Sequence, residues 1–290
     1  MLTESISSYL QNDYPNFEVA IMDNGSTDGT FDFIKSNFPS VKIYRNEENL
    51  GYSGGFNFGL DLIFNQDYDY ALISNNDVKA HNRVISELVK VSQLNKKIGF
   101  VTGKVYYYDK PNILQTVGKK EDPLRWNGGH IGNKEEDIGQ YDNICERYFA
   151  DDIFMLINKT VYKETGGYNT TFFLQSEEYD WQARAKKLGF IIMYTPYAKI
   201  WHKESMTIGR DSALKAYYDA RNPMLVILIH KSPEFFRKYF WLHLREDIFL
   251  GSLAYLKRLK PTNAIAQWAG FVSGIMWGLK NKKFSIRHFL

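Results

Sequence analysis

Val19-Ala20-Ile21-Met22-Asp23-Asn24-Gly25-Ser26-Thr27-Asp28-Gly29-Thr30 is a short apolar run that stops in a cluster of carboxylate, amide, hydroxyl and glycine. A parallel strand covered on both faces reads as continuous hydrophobics, and open α/β sheets bind ligands in the crevice beyond the carboxyl ends of such strands. The stretch therefore predicts a buried strand emptying into a ligand-binding loop. Gly25 and Gly29 give that loop backbone freedom, and Asp23 and Asp28 can bond a ribose, a base edge or a cation. The plainer alternative is a strand-to-helix turn with Asp or Ser as the helix cap. A calcium loop is excluded: with Asn24, Ser26, Asp28 and Gly29 in register, the position of the closing glutamate holds Lys35.

Outward from this loop, strands and helices alternate. A helix ends within 5–12; strands are predicted at 17–22, 41–45, 70–74 and 98–101, with helices at 30–36, from the glycine-rich 49–59 toward 64, and at 83–94. This βαβ series argues for an α/β fold with a mostly parallel central sheet, flanking helices and right-handed crossovers. Residues 106–143, rich in Tyr, Gly, Asn and charge, read as irregular or short antiparallel pieces. Order returns with 154–157, helices near 160–165 and at 178–188, and a strand at 191–195. A chain of 290 residues that is 44% hydrophobic can bury a full core. Its single cysteine, Cys145, cannot form an internal disulfide, and the N-terminus lacks the basic then apolar run of a secretion signal. Both point to a reducing, cytosolic-facing location.

Several polar groups stand where apolar runs end. Asn75-Asn76-Asp77 follows the strand at 70–74, so the Asp77 carboxylate projects into the same crevice as the Asp23 loop, a natural position for Mg2+ or Mn2+, which takes oxygen ligands and keeps waters or substrate phosphates elsewhere. The alternative is that Asp77 caps a following helix. Glu177, Glu178 and Asp180 place three carboxylates within four residues beside aromatic surface, a setting that tunes a general base; acids at a helix start also simply complement its dipole. His202 follows the strand-like run 197–201, where a packed histidine is the commoner outcome. Arg221, followed by Asn222, can pair with a phosphate or solvate a helix face.

Taken together, these residues resemble the family 2 glycosyltransferases of the GT-A fold, above all the rhamnosyltransferase-like bacterial members. The family's DNGSTDGT loop stands at 23–30, its NxGxxGGxNxG block at 49–59, its N-x-D-V block at 75–78, its GGF/Y-D/N-x-x-F-F block at 166–173, its acidic E-D-x-D-W block at 177–181, its late histidine at His202 and its R-N pair at Arg221-Asn222. Coverage runs from about residue 2 to about residue 230. The resemblance implies a Rossmann-like GT-A domain over 1–230 and an appended helical segment over 231–290. It implies that Asp23, Asn24, Ser26, Asn49, Gly51, Gly54, Asn57, Asn75, Asn76 and Arg221 surround a nucleotide sugar carrying dTDP or UDP. Asp77 would ligand a divalent cation with His202 assisting, and the acidic block would supply the base of an inverting transfer. Glu178 aligns with the family's usual aspartate; its longer side chain moves the carboxylate by about one carbon–carbon bond, which leaves Glu177 and Asp180 as alternatives. Asp152, where the family often has a small glycine, and Trp181 would face the acceptor. The family also begins with an apolar base-holding strand that this chain lacks. Either its start was assigned late, or the protein binds nucleotide weakly or not at all and serves as a catalytically silent binding or scaffolding subunit of a polysaccharide assembly complex.

From Lys231 onward the chain has eleven basic residues against three acidic, leaving this tail +8 and the remainder −5. Phe236, Phe240, Leu244, Phe249, Leu253 and Leu256 recur at helical spacing, which predicts an amphipathic segment. Aromatic and basic content favours lying in an anionic interface at the inner face of the cell membrane, which suits a lipid-linked saccharide acceptor; the alternative is a soluble bundle or homodimer contact. Nucleic acid is disfavoured as a partner, because the basic residues interleave with large apolar ones and the α/β portion is net acidic.

Overall fold

The computed structural model describes residues 1–203, 212–284 and 288; Arg287 of the basic tail lies outside them. The chain divides into two compact units. One comprises Met1–Glu121, Asn127–Phe173 and Trp181–Glu204, and the other Asp122–Trp126, Leu174–Asp180 and Ser205–Leu290.

The first unit opens with helix α1 (Leu2–Leu10), β1 (Ala20–Asp23), α2 (Thr30–Asn37), β2 (Lys42–Arg45) and α3 (Gly51–Phe64). Next come β3 (Tyr70–Ser74), β4 (Val78–Ala80), α4 (Val84–Ser92), β5 (Ile98–Tyr107) and β6 (Lys110–Thr116). The series ends with β7 (Lys119–Asp122), β8 (Trp126–His130), β9 (Cys145–Glu146), β10 (Phe154–Asn158), α5 (Lys159–Thr165), α6 (Glu177–Lys187), whose first four residues belong to the second unit, and β11 (Ile191–His202). β1 pairs with β2 in parallel, but the two form a separate two-stranded sheet in which Ala20, Ile21 and Met22 are only partly buried, rather than a strand covered on both faces, and the ladder starts at Ala20. Phe17 and Val19 instead pack, partly buried, against core side chains.

The main sheet has seven strands in the order β3-β10-β5-β11-β4, with β6 on β5 and β9 on β11. It is mixed rather than mostly parallel. β11 runs parallel to β5, but β10 lies antiparallel between β3 and β5, and β4 antiparallel to β11. β10 returns after the long 106–153 excursion, so no helical crossover forces it parallel to its neighbours. β5 is buried over nine successive residues, as a central strand with both faces covered must be. Val84, Leu88 and Val91 of α4 cover one face with Val101, Val105, Phe154 and Ile200. β11 runs on to His202, past the predicted end at 195, because Pro196 falls where its register against β5 shifts and no ladder donor is needed.

The middle region consists of the expected short antiparallel pieces. The buried Lys104 ammonium binds Asp137 at 2.7 Å and Asp142 at 2.6 Å, and Tyr106 Oη donates to Asp137 at 2.5 Å. These bonds pin the 137–142 loop to β5.

The second unit is helical: α7 (Ala213–His230), α8 (Pro233–Leu242), a π-helical stretch (His243–Leu250), α9 (Gly251–Lys257) and α10 (Pro261–Lys280). Ser212 and Ser232 cap α7 and α8 through their side chains. The predicted apolar line splits here. Phe236 and Phe240 are buried, whereas Phe249, Leu253 and Leu256 are exposed. The π-helical stretch between them holds an extra residue per turn and rotates the line onto another face. Arg125 binds both acids of that stretch, Glu246 at 2.8 Å and Asp247 at 2.5 Å.

Candidate active site

In the first unit the loop after β1 is built around two side chains. Asp23 is buried, its Oδ1 accepts from Ser26 N at 3.0 Å, and its Oδ2 lies 3.4 Å from Arg45 Nε across the β1–β2 pair. Arg45 also donates to the Ser26 carbonyl at 2.7 Å, fixing the loop from the other side. Asn24 uses its whole amide. Its Nδ2 donates to Asn49 Oδ1 at 3.1 Å and to the Gly51 carbonyl at 2.9 Å, and its Oδ1 accepts from Asn46 Nδ2 at 3.0 Å and Leu50 N at 3.1 Å. An amide has two donors and two lone pairs, so Asn24 is a latch between the two loops. Asn49 in turn accepts from Gly51 N at 2.9 Å.

The glycine-rich block owes its composition to close packing. Gly51 has φ 71°, and a Cβ there would strike the Phe173 ring and carbonyl. Tyr52 N donates to that carbonyl at 2.7 Å, and Ser53 Oγ donates to the Phe172 carbonyl. Asn57 exchanges two bonds with Tyr168, at 2.8 and 2.9 Å, and Gly54 sits in the first turn of α3 against Leu50. Two motifs far apart in sequence thus form one joint.

Asp77 and His202 meet. β4 pairs with β11 so that Val78 opposes His202, which sets His202 Nε2 3.1 Å from Asp77 Oδ1, both residues being buried. Asp77 leads into a strand, so it caps no helix. His202 Nδ1 lies 2.9 Å from Gln115 Oε1 on β6, and an amide oxygen there selects the tautomer protonated at Nδ1. Nε2 and the carboxylate oxygen thus converge on one point, as two ligands of a single cation would. One imidazole and one carboxylate, with an amide behind the imidazole, is a donor set that Mg2+ or Mn2+ fits.

Asn75 N donates to the Ile153 carbonyl at 2.9 Å, which brings the Asn75–Asp77 segment, with Asn76 exposed, beside the turn bearing Asp152. Tyr52 Oη donates to the Asp152 carbonyl at 2.9 Å. The same turn is anchored by Asp151, whose Oδ2 lies 3.0 Å from His130 Nδ1 and 3.4 Å from Lys119 Nζ. Burial pushes the Asp151 carboxyl up, but the Lys119 charge and the His130 contact outweigh it and hold the group well below the usual carboxylate range. A chain of bonds therefore links the Asp23 loop, the start of α3, the Asp152 turn, Asp77 and His202. Trp181, expected at the acceptor, is a correction: it is fully buried, donates to Thr165 Oγ1 at 2.6 Å and packs edge-on against Phe100 and Tyr168. It has no surface to offer a sugar.

In the second unit the acids Glu177, Glu178 and Asp180 form the first turn of α6 and are all buried. Gln175 and Ser176, just before them, hold φ of 70° and 72°. Two consecutive left-handed non-glycine residues persist only where their surroundings impose them. Asn222 does so: fully buried, its Nδ2 donates to the Leu174 carbonyl at 2.6 Å and the Gln175 carbonyl at 2.9 Å, while its Oδ1 accepts from Arg221 Nη1 at 2.6 Å. Burial lowers the pKa of the Arg221 guanidinium. Asp180 Oδ1 lies 2.9 Å from His230 Nε2, with both side chains buried. Gln115, Asp151, Asn222 and His230 were not singled out from sequence as site residues; Asn222 had a signal, standing in the R-N pair, and His230 another, closing the apolar run MLVILIH.

The comparisons with known proteins agree with this architecture. The N-acetylglucosaminyl-diphospho-decaprenol L-rhamnosyltransferase of Mycobacterium tuberculosis is 22% identical over 221 residues, covering 67% of this chain and 69% of that protein. The poly-beta-1,6-N-acetyl-D-glucosamine synthase of Staphylococcus epidermidis is 25% identical over 210 residues, 71% of this chain and 47% of that protein. Among solved structures, GalNAc-T7 with UDP, GalNAc and Mn2+ superimposes with a TM-score of 0.57 at 13% identity, over 97% of this chain and 55% of that one. The chain spans about half the length of the last two proteins. The fold is that of the GT-A glycosyltransferases. Residues 1–166 match the family described as Glycosyl transferase family 2, and the chain belongs to that family.

Proposed function

We propose that the protein transfers a single sugar, with inversion, from a nucleotide sugar, dTDP-rhamnose or a UDP-hexose, to a lipid-linked saccharide during synthesis of a bacterial surface polysaccharide. The observation that carries this reading is the bonded series from the Asp23 loop to the Asp77–His202 pair, which gathers polar groups suited to a nucleoside diphosphate beside a donor set suited to a divalent cation. The rhamnosyltransferase relative supports the donor and acceptor class, and the structural neighbour crystallised with UDP and Mn2+ supports the nucleotide and cation.

In this reading Asp23 bonds the nucleoside, and Arg221 pairs with phosphate. A bound Mg2+ or Mn2+, held by Asp77 and His202, would offset charge on the departing diphosphate. Glu178 takes the proton from the acceptor hydroxyl as that oxygen attacks the anomeric carbon; the carbon–oxygen bond to the diphosphate breaks from the opposite side. A cytoplasmic enzyme at the inner face of the membrane would meet both substrates. Incubation with dTDP-rhamnose, UDP-glucose, UDP-galactose or UDP-N-acetylglucosamine and a lipid-linked saccharide extract, read by mass spectrometry, tests this. Addition of one sugar from one donor, lost in Asp77→Ala, is expected. Absence of any product from every donor would favour a silent scaffolding subunit.

A further inference from the structure

The helices of the second unit carry an apolar surface that their own packing leaves uncovered. α10 buries its glycine face: a Cβ on Gly270 would strike the Tyr217 carbonyl, and one on Gly274 the Met224 side chain, both on α7. Tyr217 Oη donates to Ser273 at 2.7 Å along the same seam. The small residues that make this helix a poor membrane span are therefore what lets it lie close on α7. Its other face exposes Ile265, Trp268, Val272, Met276 and Leu279, a stripe repeating every three or four residues. Among the described residues no helix is long and apolar enough to cross a membrane.

The turn between α9 and α10 is more telling. Leu259 has φ 56° and is 89% exposed. Lys260 N reaches back to the Tyr255 carbonyl at 3.0 Å, closing a helix terminus whose left-handed residue is ordinarily glycine. A leucine here bears backbone strain and buries nothing in return, which marks a position shaped for something outside the fold. Exposed Lys257 and Arg258 precede it, and exposed Lys280, Lys282 and Lys283 close α10. Glu246 and Asp247, two of the three acids in this tail, are bound by Arg125.

We infer that this face docks on an anionic lipid bilayer, with Leu259 entering the interface at the tip of the α9–α10 hairpin and the α10 stripe lying along it. Charge decides between lipid and a second copy of the chain. A tail carrying +8 repels its own duplicate, whereas acidic headgroups attract it while the apolar stripe loses contact with water.

Flotation of the full chain with vesicles tests the inference. Vesicles of phosphatidylglycerol and phosphatidylethanolamine should carry the protein at 0.1 M salt, and pure phosphatidylcholine vesicles should not. Leu259→Gly, which also relieves the backbone and so should not impair folding, should lose about tenfold in vesicle affinity, and Arg258→Gln about fivefold. Flotation indifferent to lipid charge, or full affinity in both variants, would overturn the inference. So would a mass of two chains by sedimentation that anionic vesicles leave unchanged, since the stripe would then belong to a dimer.

Discussion

Nε2 of His202 stands 3.1 Å from Oδ1 of Asp77, and the same ring turns its Nδ1 to Gln115 Oε1 at 2.9 Å. The amide fixes the ring on its Nδ1 side, so in the proposed reading the orientation of the nitrogen that would face a cation depends on a residue that would not touch that cation. Gln115→Leu should fold, since the volumes are close, yet lose about 10- to 100-fold in Mn2+ affinity, read by calorimetry in the presence of nucleoside diphosphate. Unchanged affinity would show that the histidine needs no such support.

The acids at the start of α6 should separate by role. Glu178→Gln should lower turnover by about 10²- to 10⁴-fold with nucleotide affinity unchanged. Asp180→Asn removes the carboxylate that His230 binds at 2.9 Å, so it should cost about 2 kcal/mol in denaturant melts. If Asp180→Asn abolished turnover at full stability, the base assignment would pass to Asp180.

Asn222 holds the strained turn before those acids, and the strain should be measurable. Gln175→Gly, placed at φ 70°, should raise stability by about 1 kcal/mol, because glycine bears no penalty there. Asn222→Ala should destabilise by about 2 kcal/mol and reduce kcat more than KM, the split expected when an acid is mispositioned rather than a substrate released.

The Lys104–Asp137 pair predicts a pH dependence. Burial raises the Asp137 pKa, but the hydrogen bonds from Lys104, Tyr106 and Gly139 outweigh it and hold the carboxyl below its ordinary 3.8. A depressed carboxyl adds stability above its unfolded pKa and loses it as pH falls through the folded value. Asp137→Asn should therefore cost about 2 kcal/mol at pH 7, and the gap to the unaltered protein should begin to narrow below about pH 4 and shrink further as the pH falls through the folded value. A gap that did not narrow at all as the pH fell below the unfolded carboxyl value would contradict the electrostatic origin of the pin.

The α/β class, the loop after β1 and the order of the polar blocks were legible, because each rests on a local pattern: an apolar run, a glycine-rich turn, acids opening a helix. What escaped was long-range. Gln115 lies 87 residues from the histidine it orients, and His230 lies 50 from Asp180, so no window of sequence joins them. The antiparallel return of β10 has no local mark either, since a buried strand looks the same in both directions. Asn24 read as a ligand group because a polar side chain in a loop can serve either ligand or loop, and only the four bonds of its amide decide. Trp181 stands among acids in sequence, but helical periodicity turns it into the core.

In the proposed reading, the first unit binds a nucleoside diphosphate together with a divalent cation. Titration calorimetry with UDP, dTDP and GDP, each with and without Mn2+, tests it most directly. One of the three should bind, Mn2+ should strengthen binding at least tenfold, and Asp77→Ala should remove the strengthening. Binding of none of the three, with or without the metal, would contradict it.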